Sequence, residues 1–171
     1  MKIVEISPEA TVKGTPPSFR FLVAVSGYNT LITDRLLEGA LETFRSMGPV
    51  VAEVTVVRVP GALELPFVAR KAAESGRYDG VLALGCVIRG ETGHYDVVVS
   101  GVTDGLGKVN ALGRLPVVFG ILTTETLLQA LDRVGGKAGH KGVEGASTLL
   151  TMARIARALD AGNGPEESRR P

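Results

Sequence analysis

The 171-residue sequence has little cysteine, no long apolar run and no excess of charge of either sign. Its one cysteine, Cys86, cannot form a disulfide within the chain, which indicates a reducing, cytoplasmic location. No apolar run approaches the roughly 20 residues that span a bilayer, and the first residues lack the apolar core of a signal peptide. The chain has 19 basic and 18 acidic residues, so its net charge of +1 does not indicate binding to nucleic acid or to an acidic membrane.

Sequence signatures of metals and nucleotides are also absent. The two histidines and the one cysteine do not have the spacing of metal ligands. No Walker loop occurs, and no Gly-x-Gly-x-x-Gly follows the first predicted strand, so neither ATP nor NAD is indicated. We therefore expect no metal and no cofactor.

Apolar residues make up 44% of the chain, enough for one domain with a substantial core. Four continuous runs rich in Val, Leu and Ile predict buried strands of a parallel sheet, at residues 21–26, 54–59, 80–88 and 115–121. Helical spacing after each run, and once more near the end, predicts helices at residues 33–45, 65–74, 95–112, 124–134 and 143–159. Thr33 is a candidate N-cap of the first helix, Pro66 suits the first turn of the second, and Gly76 suits its end.

This alternation predicts a single-domain α/β fold: a flavodoxin-like, doubly wound, mainly parallel sheet with helices on both faces. We assign residues 19–160 to that domain. Residues 1–18 form an N-terminal arm whose apolar stretch at 3–6 is a candidate extra strand. The polar, proline-containing tail at 161–171 is predicted to be disordered.

Ligands of open parallel sheets bind beyond the carboxyl ends of the strands. Tyr28, Glu64, the turn at residues 90–93 with His94, and Phe119 fall at or near those ends. The turn leads into a helix, whose free N–H groups suit phosphate, although an ordinary turn capped by Thr92 also explains it. The sequence therefore predicts a small-molecule site at this edge.

Each side chain at this edge has a plainer alternative. Tyr28 could stack on a heterocycle or be a half-buried core tyrosine. Glu64 could bind ligand hydroxyls or simply favour a helix start. His94 could be an exposed histidine or, as a neutral imidazole, accept a proton. Cys86 lies in a predicted buried strand without a partner histidine nearby, so we interpret it as an apolar filler rather than a nucleophile.

Six segments share their order and spacing with one family. They are Tyr28-Asn29, Leu37-Glu38-Gly39-Ala40, Val59-Pro60-Gly61-Ala62-Leu63-Glu64, Ala83-Leu84-Gly85-Cys86-Val87-Ile88-Arg89-Gly90-Glu91-Thr92-Gly93-His94, Gly120-Ile121-Leu122-Thr123-Thr124-Glu125 and Lys137-Ala138-Gly139-His140-Lys141-Gly142. On these segments the chain resembles the lumazine synthases from about residue 21 to residue 159. The resemblance implies condensation of 5-amino-6-(D-ribitylamino)uracil with 3,4-dihydroxy-2-butanone 4-phosphate. The products are 6,7-dimethyl-8-ribityllumazine, phosphate and water, formed in riboflavin biosynthesis without metal or redox cofactor.

The resemblance also implies a role for individual residues. His94 would transfer protons, and Glu91, Thr92 and Arg133 would hold the butanone phosphate. The pyrimidine and its ribityl chain would contact Tyr28, Ala62, Leu63, Glu64, Cys86, Val87, Ile88, Phe119 and Lys141.

Two rival functions remain: a non-catalytic protein that holds a flavin or phosphate ligand, and a shell-forming protein without catalysis. The resemblance further implies a homopentamer with the active site between subunits. The length of the loop at 135–140 leaves a 60-subunit shell open, and riboflavin synthase is a candidate partner.

Overall fold

The structure, a computed structural model, describes residues 18–162 of the chain. The candidate strand at 3–6 lies outside the described residues, as do nearly all of the predicted arm and tail. In chain order the elements are β1 (Phe19–Ser26), α1 (Thr30–Ser46), β2 (Val51–Val59), α2 (Leu65–Ser75), β3 (Gly80–Ile88), α3 (His94–Ala111), β4 (Val117–Thr124), α4 (Leu127–Leu131), β5 (Val134–Gly136), β6 (Gly139–His140) and α5 (Lys141–Gly162). Short 3-10 turns occupy Gly48–Val50 and Ala62–Glu64. Within the described range, no helix combines the length and apolar character needed to cross a membrane.

Strands β1 to β4 form a parallel sheet in the order β2-β1-β3-β4. One buried cluster packs α1 and α5 against one face, and a second packs α2 and α3 against the other. Helices on both faces of a parallel sheet confirm the predicted α/β fold of the flavodoxin-like kind. Its order of strands places the carboxyl ends of β1 and β3 side by side, next to the turn after β2.

The prediction that β2 is a buried strand is wrong for most of its length. Only Val59 is buried, and the other residues of β2 are half-buried or exposed. The reason is position: β2 is an edge strand that pairs with β1 alone among the described strands. An apolar run shows that a strand can be buried, but not whether neighbours cover it.

The predicted start of α1 is also wrong. The helix begins at Thr30, preceded by Asn29 in the left-handed region at φ 55°, and Thr33 is buried inside the helix. Thr33 Oγ1 has no hydrogen-bond partner among the described residues. Asn29 Nδ2 donates to the carbonyl of Cys86, 2.9 Å away, and this long-range contact helps fix the helix start earlier than local spacing suggests.

The segment predicted as one helix at 124–134 has three parts. β4 continues to Thr124 because Leu122, Thr123 and Thr124 pair with the end of β3. α4 then spans only Leu127–Leu131, with Thr126 Oγ1 accepting from Gln129 N at 3.2 Å. An antiparallel hairpin of β5 and β6, which was not predicted, follows. Arg133 therefore stands just before the hairpin rather than at the end of an 11-residue helix.

Other boundaries agree more closely. α2 has Pro66 in its first turn and ends at Gly76, whose φ of 64° is a left-handed cap. α5 is longer than predicted and extends into the assigned tail, to Gly162. α3 packs closely on the turn after β2: a Cβ added at Gly101 would lie only 2.8 Å from Leu63 Cδ2. The start of α3 lines the same cleft as the carboxyl ends of β1 and β3.

Candidate active site

A cleft of about 430 Å³ opens at the carboxyl edge of the sheet, and we call it the first cleft. It is bordered by the ends of β1 and β3, the 3-10 turn after β2 and the first two turns of α3. The lining residues are Ser26, Tyr28, Asn29, Gly61, Ala62, Leu63, Glu64, Cys86, Val87, Ile88, His94 and Val98. Most of the residues predicted to contact the pyrimidine and ribityl chain therefore meet in one place, together with His94.

Tyr28 offers an open aromatic face to the first cleft. Its side chain is 71% exposed, so the alternative of a half-buried core tyrosine is wrong. The turn that carries it is held by a bond from Gly27 N to Val59 O, 2.8 Å long. A Cβ at Gly61 would lie 3.5 Å from the Tyr28 ring, so a glycine there leaves room beside the ring. The ring is thus placed to stack on a flat ligand.

Glu64 ends the 3-10 turn and occupies the N-cap position of α2. Its side chain makes no capping hydrogen bond, so both carboxylate oxygens can accept from a ligand. The two interpretations of Glu64 are therefore compatible, because the residue stands at a helix start and also lines the first cleft.

The end of β3 extends past its pairing with β1 at the first cleft. The ladder between β1 and β3 stops at Val25 and Leu84, whereas β3 continues to Ile88 against β4. On the side facing β1, the backbone of Cys86 to Ile88 therefore lies past the end of that ladder. Of these groups, the Cys86 carbonyl accepts from Asn29.

The thiol of Cys86 is 2% exposed, and burial raises its pKa to about 11. A thiol with such a pKa is protonated near neutral pH and is a poor nucleophile. This agrees with the interpretation of Cys86 as a small apolar filler beneath the first cleft.

His94 is the first residue of α3, and its side chain is exposed at the wall of the first cleft. Its backbone N–H lies 3.4 Å from Thr92 Oγ1, a weak contact. A histidine at a cleft wall beside a carboxylate and an aromatic ring is placed to exchange a proton with a bound molecule.

The remaining predicted residues lie elsewhere. Glu91 and Thr92 belong to the exposed turn between β3 and α3 and do not line the first cleft. Phe119, Arg133 and Lys141 line a second cleft of about 370 Å³ along β4, and no residue lines both clefts. One chain therefore does not gather the whole predicted set in one cleft.

In the second cleft the two cations have internal contacts. Arg133 Nη1 donates to the Gln129 carbonyl at 2.7 Å, and the Lys141 ammonium pairs with the carboxylate of Glu144. Phe119 is 43% exposed. The second cleft therefore combines an aromatic ring and two cations with the carboxylate of Glu144.

Asn29, Val98 and Thr148 also line the two clefts, although they are not among the residues predicted for the site. Val98 stands four residues after His94, and Thr148 seven residues after Lys141. Both spacings bring residues to one face of a helix, so this signal was available in the sequence. No such local signal exists for the bond between Asn29 and the Cys86 carbonyl, since 57 positions separate the two residues.

A doubly wound α/β sheet with an open cleft at its carboxyl edge, bearing an aromatic ring, a carboxylate and a histidine, defines a small-molecule enzyme of the flavodoxin-like architecture. Comparison with known proteins specifies this class further. The family model of 6,7-dimethyl-8-ribityllumazine synthase matches residues 18–157. The chain belongs to this family.

Three relatives carry the name 6,7-dimethyl-8-ribityllumazine synthase. The protein of Edwardsiella ictaluri (strain 93-146) is 48% identical over 154 residues, covering 88% of this chain and 99% of the relative. That of Chlorobium phaeobacteroides (strain DSM 266 / SMG 266 / 2430) is 46% identical over 157 residues, covering 92% of this chain and 99% of the relative. That of Pediococcus pentosaceus (strain ATCC 25745 / CCUG 21536 / LMG 10740 / 183-1w) is 45% identical over 141 residues, covering 82% of this chain and 90% of the relative. The predicted resemblance is confirmed, and with it the prediction of an enzyme, a transferase. Nothing in the comparisons favours a non-catalytic binding or shell protein.

Proposed function

We propose that this chain condenses 5-amino-6-(D-ribitylamino)uracil with 3,4-dihydroxy-2-butanone 4-phosphate to give 6,7-dimethyl-8-ribityllumazine, phosphate and water. Family membership supports the reaction. The observation that carries it is the first cleft, where an exposed ring, a carboxylate without a capping hydrogen bond, the end of β3 beyond its pairing with β1 and a histidine meet. Each of these groups suits one part of the two substrates.

The pyrimidine lies on Tyr28 in this proposal. Its ring amide and carbonyl groups pair with the backbone of Cys86 to Ile88, where β3 extends beyond its pairing with β1. The ribityl hydroxyls bind along Ala62 to Glu64, with the carboxylate of Glu64 accepting hydrogen bonds. The strand order supports this orientation, because β2, which leads into the turn, and β3 lie on opposite sides of β1, which leads to Tyr28.

The butanone phosphate binds at the start of α3. The turn carrying Glu91 and Thr92 precedes a helix N-terminus, whose N–H groups favour an anion. Glu91 faces the phosphate through its backbone N–H, because its carboxylate would repel the anion. Arg133 supplies the opposing charge, since a guanidinium offers paired donors to phosphate.

His94 moves protons between the two substrates. The amine attacks the ketone and water leaves to give an imine, and phosphate is then eliminated. The ribitylamino nitrogen attacks the carbonyl that this elimination leaves, and loss of a second water closes the ring. Each step needs orientation and modest proton transfer rather than a strong nucleophile. The position of His94 between the first cleft and the phosphate turn supports this role.

The active site is completed by a second subunit. In a single chain Arg133, Phe119 and Lys141 line a cleft separate from that of His94. Because the second cleft runs along β4, which pairs with β3 alone among the described strands, it can face the first cleft of a neighbour. Identical head-to-tail contacts of this kind close into a ring. We propose a homopentamer, with a 60-subunit shell and a riboflavin synthase partner as extensions.

We also propose a cytoplasmic location, which the single cysteine supports.

An assay with both substrates tests this function. Purified protein with EDTA present should produce lumazine absorbance and release phosphate, while omission of either substrate should abolish product. The same preparation, sized by light scattering, should be larger than one chain. Folded protein that forms no lumazine would refute the proposed reaction.

A further inference from the structure

Arg89 joins three segments at the carboxyl edge of the sheet. It follows β3, and its backbone N–H donates to the carbonyl of Thr124 at 2.9 Å. Its Nη1 and Nη2 bond both carboxylate oxygens of Asp96, at 3.1 and 3.2 Å, and its Nε lies 2.8 Å from Glu125 Oε2. Its guanidinium carbon lies 4.0 Å from the centre of the Tyr95 ring. One side chain thus links the end of β3, the start of α3 and the segment after β4.

The bond to Asp96 closes across the turn that precedes His94. Asp96 stands in the first turn of α3, two residues after His94. Within the turn itself, a Cβ at Gly90 or Gly93 would have no neighbour within 4 Å. The paired hydrogen bonds between Arg89 and Asp96 therefore join the residue before this turn to the helix after it.

The bond to Glu125 continues toward Arg133. Glu125 N donates to Gln129 Oε1 at 2.9 Å, and Arg133 Nη1 donates to the Gln129 carbonyl at 2.7 Å. Three hydrogen bonds, joined by the covalent bonds within Glu125 and Gln129, therefore link Arg89 to Arg133. It connects elements that border the first cleft to elements that border the second.

The charge of Arg89 opposes that of the two carboxylates it contacts. The hydrogen bonds that Arg89 donates to Asp96 and then to Glu125 raise the pKa of Arg89, so the guanidinium stays charged. Without it, Asp96 and Glu125 would add two uncompensated negative charges beside the turn that also carries Glu91. Such charges would repel an anion at this turn.

We propose that Arg89 is a positioning residue of this active site. It holds the turn at 90–93 and His94 in place, and it neutralises the carboxylates that border the phosphate position. This inference rests on the proposed function, because it takes the turn at the start of α3 as the phosphate site. Arg89 acts through its neighbours and does not itself touch the substrate.

Kinetics of Arg89→Gln test the proposal. We expect the KM for the butanone phosphate to rise about tenfold, the KM for the pyrimidine to change little, and kcat to fall. Arg89→Lys, which keeps the charge but not the paired geometry, should show a smaller rise in KM and a comparable fall in kcat. Arg70→Gln is the matched control, because Arg70 forms an exposed pair with Glu74 on α2 and should leave all constants unchanged.

A charge-compensating variant separates electrostatics from loss of structure. Adding Asp96→Asn and Glu125→Gln to Arg89→Gln removes two further ionic groups, yet should recover part of the affinity for the butanone phosphate. If Arg89 only supported the fold, these added changes would leave the KM unimproved or raise it further. That result would overturn the electrostatic part of the proposal.

The outcomes distinguish the two proposals. Wild-type protein that forms no lumazine refutes the proposed function. Active wild type with Arg89→Gln and Arg89→Lys both at wild-type constants refutes the role of Arg89 alone. Circular dichroism and light scattering show whether Arg89→Gln folds. If it does not, the KM and kcat of Arg89→Lys and Asp96→Asn test the proposal instead. Unchanged KM and kcat in both of these folded variants would refute the proposal.

Discussion

At the scale of single residues, His94 lies at the wall of the first cleft with its side chain exposed. Positioned proton transfer contributes about 10²–10⁴-fold in typical enzymes, and an amine and a ketone also react without help once oriented. We therefore expect His94→Ala to lower kcat by up to about a hundredfold without abolishing turnover. His94→Asn, which remains polar but exchanges no proton near neutral pH, should be similarly slow. Steady-state rates equal to wild type in either variant would exclude His94 as the proton carrier.

Cys86 is expected to make the free energy of unfolding depend on pH in the alkaline range. Burial raises its pKa from an ordinary value of 9.0 to about 11, so the unfolded chain loses this proton before the folded one does. The stability due to the neutral buried thiol is full below about pH 9 and is lost as pH rises through about 11. Urea unfolding between these values should show a steeper loss of unfolding free energy in wild type than in Cys86→Ala. Parallel pH profiles would show that the thiol does not contribute in this way.

At the scale of elements, the hairpin of β5 and β6 packs against α1 where His140 contacts Gly39. A Cβ at Gly39 would overlap the ring of His140, which lies between Arg133 and Lys141 in sequence. We expect Gly39→Ala to cost about 1–3 kcal/mol of stability, as overpacking does, and to raise the KM for the butanone phosphate. Gly107→Ala in α3 is the control, because a Cβ there meets nothing within 4 Å and alanine favours a helix. Gly39→Ala with the stability and KM of wild type would contradict this account of the hairpin.

At the scale of the whole molecule, the separation of the two clefts predicts complementation between subunits. Arg133→Ala should chiefly raise the KM for the butanone phosphate, and His94→Ala should lower kcat. In hybrid rings of the two variants, some interfaces join the intact His94 of one subunit to the intact Arg133 of another. Co-refolded hybrids, verified by mass spectrometry, should therefore exceed the average activity of the two parents at low butanone phosphate concentration. Hybrids that only match that average, or wild-type monomers with full activity, would show that one chain supplies both residues.

Prediction from the sequence succeeded where neighbouring residues decide the structure. The apolar runs that became β1 and β3 and the spacing of α2 with Pro66 and Gly76 are local patterns. Parallel connectivity then brought Tyr28, Glu64 and His94 to one edge without further information. Prediction failed at Thr33 and in the segment after β4, where contacts with β3 and with a hairpin override local spacing.

The sequence by itself determined the alternation of strands and helices, the edge of the sheet that carries the polar loops, and the family. These follow from patterns within short stretches of chain and from motifs in a set order. Only the tertiary structure decided that Arg133 and His94 line different clefts, that β2 is an exposed edge, and that Arg89 joins Asp96 to Glu125. The reason is physical: those facts are contacts between residues far apart in the chain, and their geometry exists only once the helices have packed on the sheet.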